Sequence, residues 1–377
     1  MTHQTRALAA LNLRPVDRIP RYICAIACEV SSRILGRPVH TGTGSLHYAE
    51  TVALLRGEQA HREFVEKLFE DLAELYRALD IDVYRIPWRQ TAKPTRQIDD
   101  YTFLFGRPEG DHTICQYSPE SGDFGPINIV RKQDISPEEQ LRRFLDSAEK
   151  EAGHRMAAIK LDKDYKTVFE KYGREFFMVY NGGGIGTGMT EDDLMMIVTE
   201  PELMRRKVML QAESGRALGR ALARSQCPRV LLGGGDLAGN EGPLYSPESF
   251  RQIMLPALRH MMAGFKAGDI HYVFRSDGNL WPIADMLFNE AGCQGFGEAD
   301  RVCGMTVKAL RERYPGLVIW GNFSSDQLLR QSAAWVREES QRILAESGGT
   351  GYFHGASNAI LKGTSVENVL ALFGMLL

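Results

Sequence analysis

The second half of the chain repeats one hydrophobic pattern. Residues 268–300 show it most plainly. A short apolar run at 271–274 ends in the polar cluster Arg275-Ser276-Asp277-Gly278-Asn279, a helical spacing follows at 281–291, Gly292 stops it, and another short run opens at Cys293. Strand, polar loop, helix and strand in that order make a βα unit of a parallel sheet, with the functional groups on the loop after the strand. The same unit is read at 175–180, ending in Asn181-Gly182-Gly183-Gly184, and at 229–232, ending in Gly233-Gly234-Gly235-Asp236. It is read again at 317–320, ending in Gly321-Asn322, and at 351–354, ending in Gly355-Ala356-Ser357-Asn358. Helical patterns fill the intervals, several behind a Ser or Thr cap such as Thr190, Ser246 and Ser365.

The first half is less regular. Residues 2–13 read as a short amphipathic helix, 18–26 as a first strand, 28–48 as a loop over the sheet's mouth, 48–78 as one long helix and 81–86 as a second strand. Between 88 and 134 the alternation breaks, and two strand-like runs at 101–105 and 112–117 around a turn predict a β-hairpin insertion. Ser136-Pro137-Glu138-Glu139 has capping-box spacing with Pro at the first helical position, and another helix covers 161–172. Strands near 20, 83, 177, 231, 273, 295, 319 and 353 favour a closed (β/α)8 TIM barrel over an open doubly wound sheet. The expected architecture is therefore α/β: one barrel domain over 1–377, with an N-terminal helical extension and the 88–134 hairpin inserted.

Composition narrows the field by exclusion. Hydrophobic residues make up 44% of the 377 and charged residues 25%, as in an ordinary globular protein. A net charge of −3 gives no electrostatic case for nucleic acid or an anionic membrane. No apolar run approaches the roughly 18 residues of a membrane span, and no signal peptide is read, so a cytoplasmic protein is expected. The six cysteines form no CxxC and read as free, mostly buried thiols. Neither a Gly-x-Gly-x-x-Gly opening a helix nor a Walker-type loop is present.

Candidate chemistry gathers at the expected strand C-terminal ends, where Asp82, Asn181, Asp236, Glu241, Arg275, Asp277, Glu298, Asn322, His354, Ser357 and Asn358 fall. In a barrel those ends build the active site, although any one such residue also reads as a helix cap or a loop brace. Asp236 follows a glycine run that lets backbone approach a ligand, and its carboxylate can orient or deprotonate one. Arg275 and Asp277, one residue apart, point the same way on an extended segment. They read either as a substrate grip with a proton carrier or as a structural ion pair. His354 reads equally as a site group or as a core ring satisfied by one hydrogen bond. No Cys/His spacing converges as zinc requires, so no metal is assigned.

The order of these motifs resembles the uroporphyrinogen decarboxylase superfamily, which includes corrinoid-dependent methyltransferases. The resemblance spans nearly the whole chain. It is carried by Pro15-Val16-Asp17-Arg18-Ile19-Pro20, Leu79-Asp80-Ile81-Asp82, and Gly235-Asp236 before Leu244-Tyr245-Ser246-Pro247-Glu248-Ser249-Phe250. It continues through Pro256, the 275–279 loop, Gly321-Asn322, and Gly355-Ala356-Ser357-Asn358 before Glu367-Asn368. It implies a (β/α)8 barrel with its site at the strand C-terminal mouth. The arginine-rich signature that grips a tetrapyrrole in the decarboxylase is reduced here to Arg21, and the His-x-Cys pair and later Cys that hold zinc in thiol-methylating members correspond to Arg275, Asp277 and Ser357. The resemblance thus implies the donor half-reaction, without zinc: a methyl group leaves a small substrate, best a methoxy-aromatic undergoing O-demethylation, for the cobalt of a corrinoid (cobalamin) on a separate partner protein. Asp236, Arg275, Asp277 and Glu298 are the expected catalytic groups; Asp82, Asn181, Glu241, Asn322, His354, Ser357 and Asn358 the substrate-binding ones. The alternatives are a decarboxylase of a tetrapyrrole or small acid using Asp82, Arg21 and Asp236, and a non-catalytic binding barrel. A homodimer is one assembly open to the chain.

Overall fold

A computed structural model describes residues 1–131 and 135–375. Residues 132–134, which end the expected insertion, and 376–377 lie outside the described residues. The strands in chain order are β1 (Val83–Tyr84), β2 (Arg96–Gln97), β3 (Thr102–Gly106), β4 (His112–Tyr117), β5 (Phe124–Val130), β6 (Phe177–Met178) and β7 (Tyr180–Gly184). They continue with β8 (Val230–Gly234), β9 (Ala238–Gly239), β10 (Gly242–Pro243), β11 (His271–Arg275), β12 (Gly295–Gly297), β13 (Val318–Phe323) and β14 (Tyr352–Ala356). The architecture is α/β around a six-stranded parallel sheet in the order β14-β13-β12-β11-β8-β7, while β1 and β6 pair in parallel beside it.

The segment near residue 20, expected as a strand, forms only isolated bridges, Arg21 to His354 and Ile26 to Ile360. Two prolines nearby, Pro15 and Pro20, limit the ladder hydrogen bonds it can donate. It still joins both neighbours: Tyr22 N–H donates to the His354 carbonyl at 2.8 Å, and Asp82 N–H donates to the Arg21 carbonyl at 3.1 Å.

Period-two alternation explains where the core sits. Val83, Phe177, Val179, Val230, Leu232, Val273, Val318, Trp320 and Phe353 share one inner cluster, to which the 20–24 segment adds Tyr22 and Cys24. Trp320 stacks on Phe353 with ring centres 3.6 Å apart. The alternate residues Tyr84, Met178, Leu231, Tyr272, Phe274, Ile319 and Tyr352 face the surrounding helices in a second, larger cluster. Helix His3–Leu11 presses Ala7 and Ala10 into the inner cluster.

Four further expectations change. The long helix read at 48–78 is two, Thr43–Arg56 and Glu58–Ala78, broken at Gly57, whose φ of 118° is left-handed. The 28–48 loop contains a helix, Cys28–Leu35. The helix read at 281–291 is a 3-10 turn, Trp281–Ile283, followed by a π-helical turn, Met286–Glu290. Between 88 and 131 the chain forms an antiparallel four-stranded sheet, β2-β3-β4-β5.

Candidate functional site

The C-terminal ends of β7, β8, β11 and β12 surround a cavity of about 540 Å³. One wall is backbone: Gly182 and Gly184 from β7, and Gly233, Gly234 and Gly235 at the end of β8. Gly234 sits at φ 102°, and a Cβ there would lie 2.4 Å from the Arg275 carbonyl oxygen, so only glycine lets β8 and β11 approach this closely. The other walls are Leu232, Trp88, Asn181, Asp236, Arg275, Asp277, Glu298 and Asn358.

Arg275 ends β11 and is 7% exposed. It forms an ion pair with Glu298, itself buried, and its guanidinium lies over the Trp88 ring at 4.5 Å. Glu298 follows β12 at φ 62°, a left-handed conformation unusual for a side chain of this size, of the kind that costs about 1–3 kcal/mol and collects at functional sites. Asp277 accepts a hydrogen bond from Asn358 Nδ2 at 2.8 Å. Burial and the neighbouring Asp236 carboxylate push Asp277 up to about 6, against the Asn358 amide.

Asp236, Asp277 and Glu298 bring one carboxylate oxygen each to within 4.8 Å of one another. These are oxygen donors, which suit a hard cation and not the nitrogen and sulfur set of a structural or thiol-activating zinc. Glu298 Oε1 is already engaged by Arg275, so a cation there competes with a guanidinium. The arrangement is better built to bind a polar small molecule and to move a proton at Asp277.

Other expected residues lie elsewhere. Asp82 precedes β1 and so sits at the opposite, N-terminal end of the parallel strands. It is fully buried and held by His3 Nδ1 at 2.8 Å, Arg6 Nη1 at 2.6 Å, Arg18 Nη1 at 2.6 Å and the Arg21 N–H at 2.7 Å. Arg21 pairs with Asp80 at 3.2 Å and donates to the Phe373 carbonyl. Asn322 is buried and braces a loop: it donates to the Ala299 and Met305 carbonyls and accepts from Val307 N–H. His354 faces the helices, bonded to Ser340 Oγ, the Leu372 carbonyl and the Tyr352 hydroxyl, and burial pushes it down to about 4. Ser357 is buried, and Glu241 is exposed on the turn between β9 and β10; neither lines the cavity.

Three residues the sequence reading passed over complete the site. Arg85, just after β1, is 1% exposed; it donates Nε to Asn181 Oδ1 at 2.8 Å and Nη1 to Cys24 Sγ at 2.8 Å and to the Cys24 carbonyl. Its guanidinium lies 4.3 Å from the Trp88 ring, so Trp88 touches both arginines. Burial opposes ionisation of the Cys24 thiol, but Arg85 and Arg275 outweigh it and hold the thiol below its ordinary range. The available signal was a second charge, Arg85, inside the apolar run 81–86, where charged residues are rare.

The uroporphyrinogen decarboxylase (URO-D) family matches residues 177–376, more than half of the chain. The chain belongs to the uroporphyrinogen decarboxylase family. The matched stretch contains β6 to β14, and with them every lining residue of the cavity except Trp88. A solved structure, a methyltransferase from Methanosarcina mazei, superposes with a TM-score of 0.61 at 18% identity, covering 100% of this chain and 98% of that one. At that identity the likeness shows the fold, the TIM-barrel type of the URO-D family. Comparison with curated proteins gives no match. No helix among the described residues is long and apolar enough to cross a membrane.

Proposed function

We propose that this URO-D family member is a methyltransferase on a closed eight-stranded barrel, taking a methyl group from a methoxy-aromatic donor to a corrinoid carried by a partner protein. The observation that carries the reading is Asp277, a carboxyl poised near pH 6 at the edge of a cavity floored by Trp88 and walled by glycine backbone. Cleaving an aryl methyl ether leaves a phenolate, which needs a proton or a fixed positive charge. Asp277 supplies the proton to the departing oxygen, and Asn358 holds its carboxyl in place. Arg275, fixed by Glu298, supplies the charge. The glycine wall and the Trp88 ring form a slot suited to a flat ring. A corrinoid, if bound at the open mouth, would supply a strongly nucleophilic cobalt as the methyl acceptor.

The decarboxylase alternative loses two of its three residues, because Arg21 and Asp82 bond to each other's surroundings at the far end of the strands. The test is an anaerobic absorbance assay with cob(I) corrinoid, free and carrier-bound, and a panel of methoxy-aromatics and methylamines. Methylation of cobalt with methoxy-aromatics is expected. Silence with every donor, carrier included, sinks the reading and makes tetrapyrrole acids the next panel.

A further inference from the structure

One arginine beside this cavity has no carboxylate partner. Arg275 has Glu298 as its carboxylate partner, but no carboxylate among the described residues pairs with Arg85, although Arg85 is 1% exposed. Its bonds go to an amide oxygen on Asn181 and to the carbonyl and sulfur of Cys24, none of them a carboxylate, although Arg85 and Arg275 draw that thiol toward its ionised form. Its Nη2 is buried with no hydrogen-bond partner. A buried guanidinium is normally paired, because its desolvation is repaid only by a counter-charge and filled hydrogen bonds. Stacking on Trp88 stabilises the flat face of the ion and offers its edge no acceptor.

The cavity comes nearest to Arg85 on one side. Trp88, half of whose surface is exposed, lies over Arg85 and Arg275; it lines the cavity together with Arg275, whereas Arg85 does not reach it. Trp88 belongs to a stretch between β1 and β2 without regular structure, held at its backbone by His47, which bonds the Trp88 carbonyl at 3.0 Å. Asn181, bonded to Arg85 Nε, already lines the cavity. A planar anion entering beside Trp88 meets the edge of Arg85 and the flank of Arg275, a geometry suited to a carboxylate and poorly suited to a neutral group.

We infer that Arg85 is the specificity-determining anchor for a carboxylate on the ligand, so that the cavity takes small aromatic acids in preference to neutral aromatics. The inference rests on the methyl-donor reading for the aromatic part of the ligand, and it adds the acid group and the residue that selects it. Arg85 is a binding residue and has no part in the proton transfer assigned to Asp277.

The test is calorimetric titration of the purified full-length chain with 3-methoxybenzoate and with its neutral isostere 3-methoxybenzamide. The acid is expected to bind on the order of tenfold or more tightly than the amide, the size of a charge-assisted hydrogen bond. Arg85→Gln is expected to remove that preference while leaving amide affinity within about twofold, the variant's fold being checked by circular dichroism. Equal affinity for acid and amide, binding of neither, or an acid preference that survives Arg85→Gln each overturns the inference. Should Arg85→Gln fail to fold, Trp88→Ala takes its place. Uncovering Arg85 then raises the acid-to-amide ratio, and an unchanged ratio overturns the assignment. An acid that binds through Arg85 but gives no methylation of cob(I) leaves this inference standing and sinks the methyltransferase reading, so the two fail separately.

Discussion

Asp82 is fully buried and Asp277 partly so, and their surroundings drive them in opposite directions. Asp277 faces another carboxylate and is raised to about 6; Asp82 faces three basic side chains and is lowered despite its burial. As a proton donor Asp277 works in its protonated form, so kcat/KM for methyl transfer is expected to fall as pH rises through about 6. Asp277→Asn should lower turnover by roughly 10²–10⁴-fold and abolish that limb of the profile; a profile unchanged in shape would assign the proton elsewhere. How much of this was legible depended on the residue. Asp236, Arg275, Asp277, Glu298, Asn181 and Asn358 meet around one cavity because loops after parallel strands share a face. Arg85, Trp88 and Cys24 escaped, because a charge inside an apolar run and a Trp after a Pro carry no spacing signal. Their role arises only when β1 comes to lie against the 20–24 segment.

At the level of elements, one residue's position along a strand decided whether it belonged to the site. The apolar run at 81–86 was read as a strand ending near the cavity, whereas its paired portion is Val83–Tyr84 and Asp82 precedes it. The run's hydrophobicity could not show which of its residues form the ladder. Helix His3–Leu11 then brings Arg6, and the following turn Arg18, onto Asp82. Asp82→Asn is expected to cost about 3–5 kcal/mol in denaturant unfolding, since it leaves a buried arginine without this partner. Burial works against the Asp82 charge, but hydrogen bonds from His3 and the Arg21 N–H and attraction to Arg18 and Arg6 outweigh it. A carboxylate lowered in the folded state stabilises fully above its ordinary pKa, and that contribution fades as pH falls below it. Acid titration of the wild type and of Asp82→Asn should therefore converge at low pH; parallel curves would mean that the network contributes little. The break at Gly57 was hidden for a related reason, as apolar spacing continues across it with only a change of phase.

Across the whole molecule, the two ends of the strands divide the labour. One end holds the Asp82 network and the other the cavity, with the inner cluster of Val, Phe and Trp between them. Because no partner is shared, the stability effects of Asp82→Asn and Asp277→Asn should add within about 0.5 kcal/mol in the double variant. They should also differ in sign. An aspartate raised in the folded state destabilises above that raised pKa and ceases to do so below its ordinary value, so Asp277→Asn is expected to gain about 1–2 kcal/mol at pH 8 and nothing near pH 4. Thermal melts at both pH values check this, and a loss at pH 8 would refute it. The repeating βα rhythm made this polarity readable in the second half of the chain, whereas the antiparallel sheet of β2 to β5 interrupts it in the first. The glycine wall bears on how the cavity can change over evolutionary time. A Cβ at Gly233 would meet the Gly182 carbonyl oxygen at 2.4 Å and one at Gly234 the Arg275 carbonyl, while at Gly184 the nearest atom is 3.5 Å away. Drift along that wall is closed by backbone at Gly233 and Gly234 and open at Gly184, so new ligand preferences in descendants of this protein arise at that one opening or on the opposite side, among the arginines, the tryptophan and the acids.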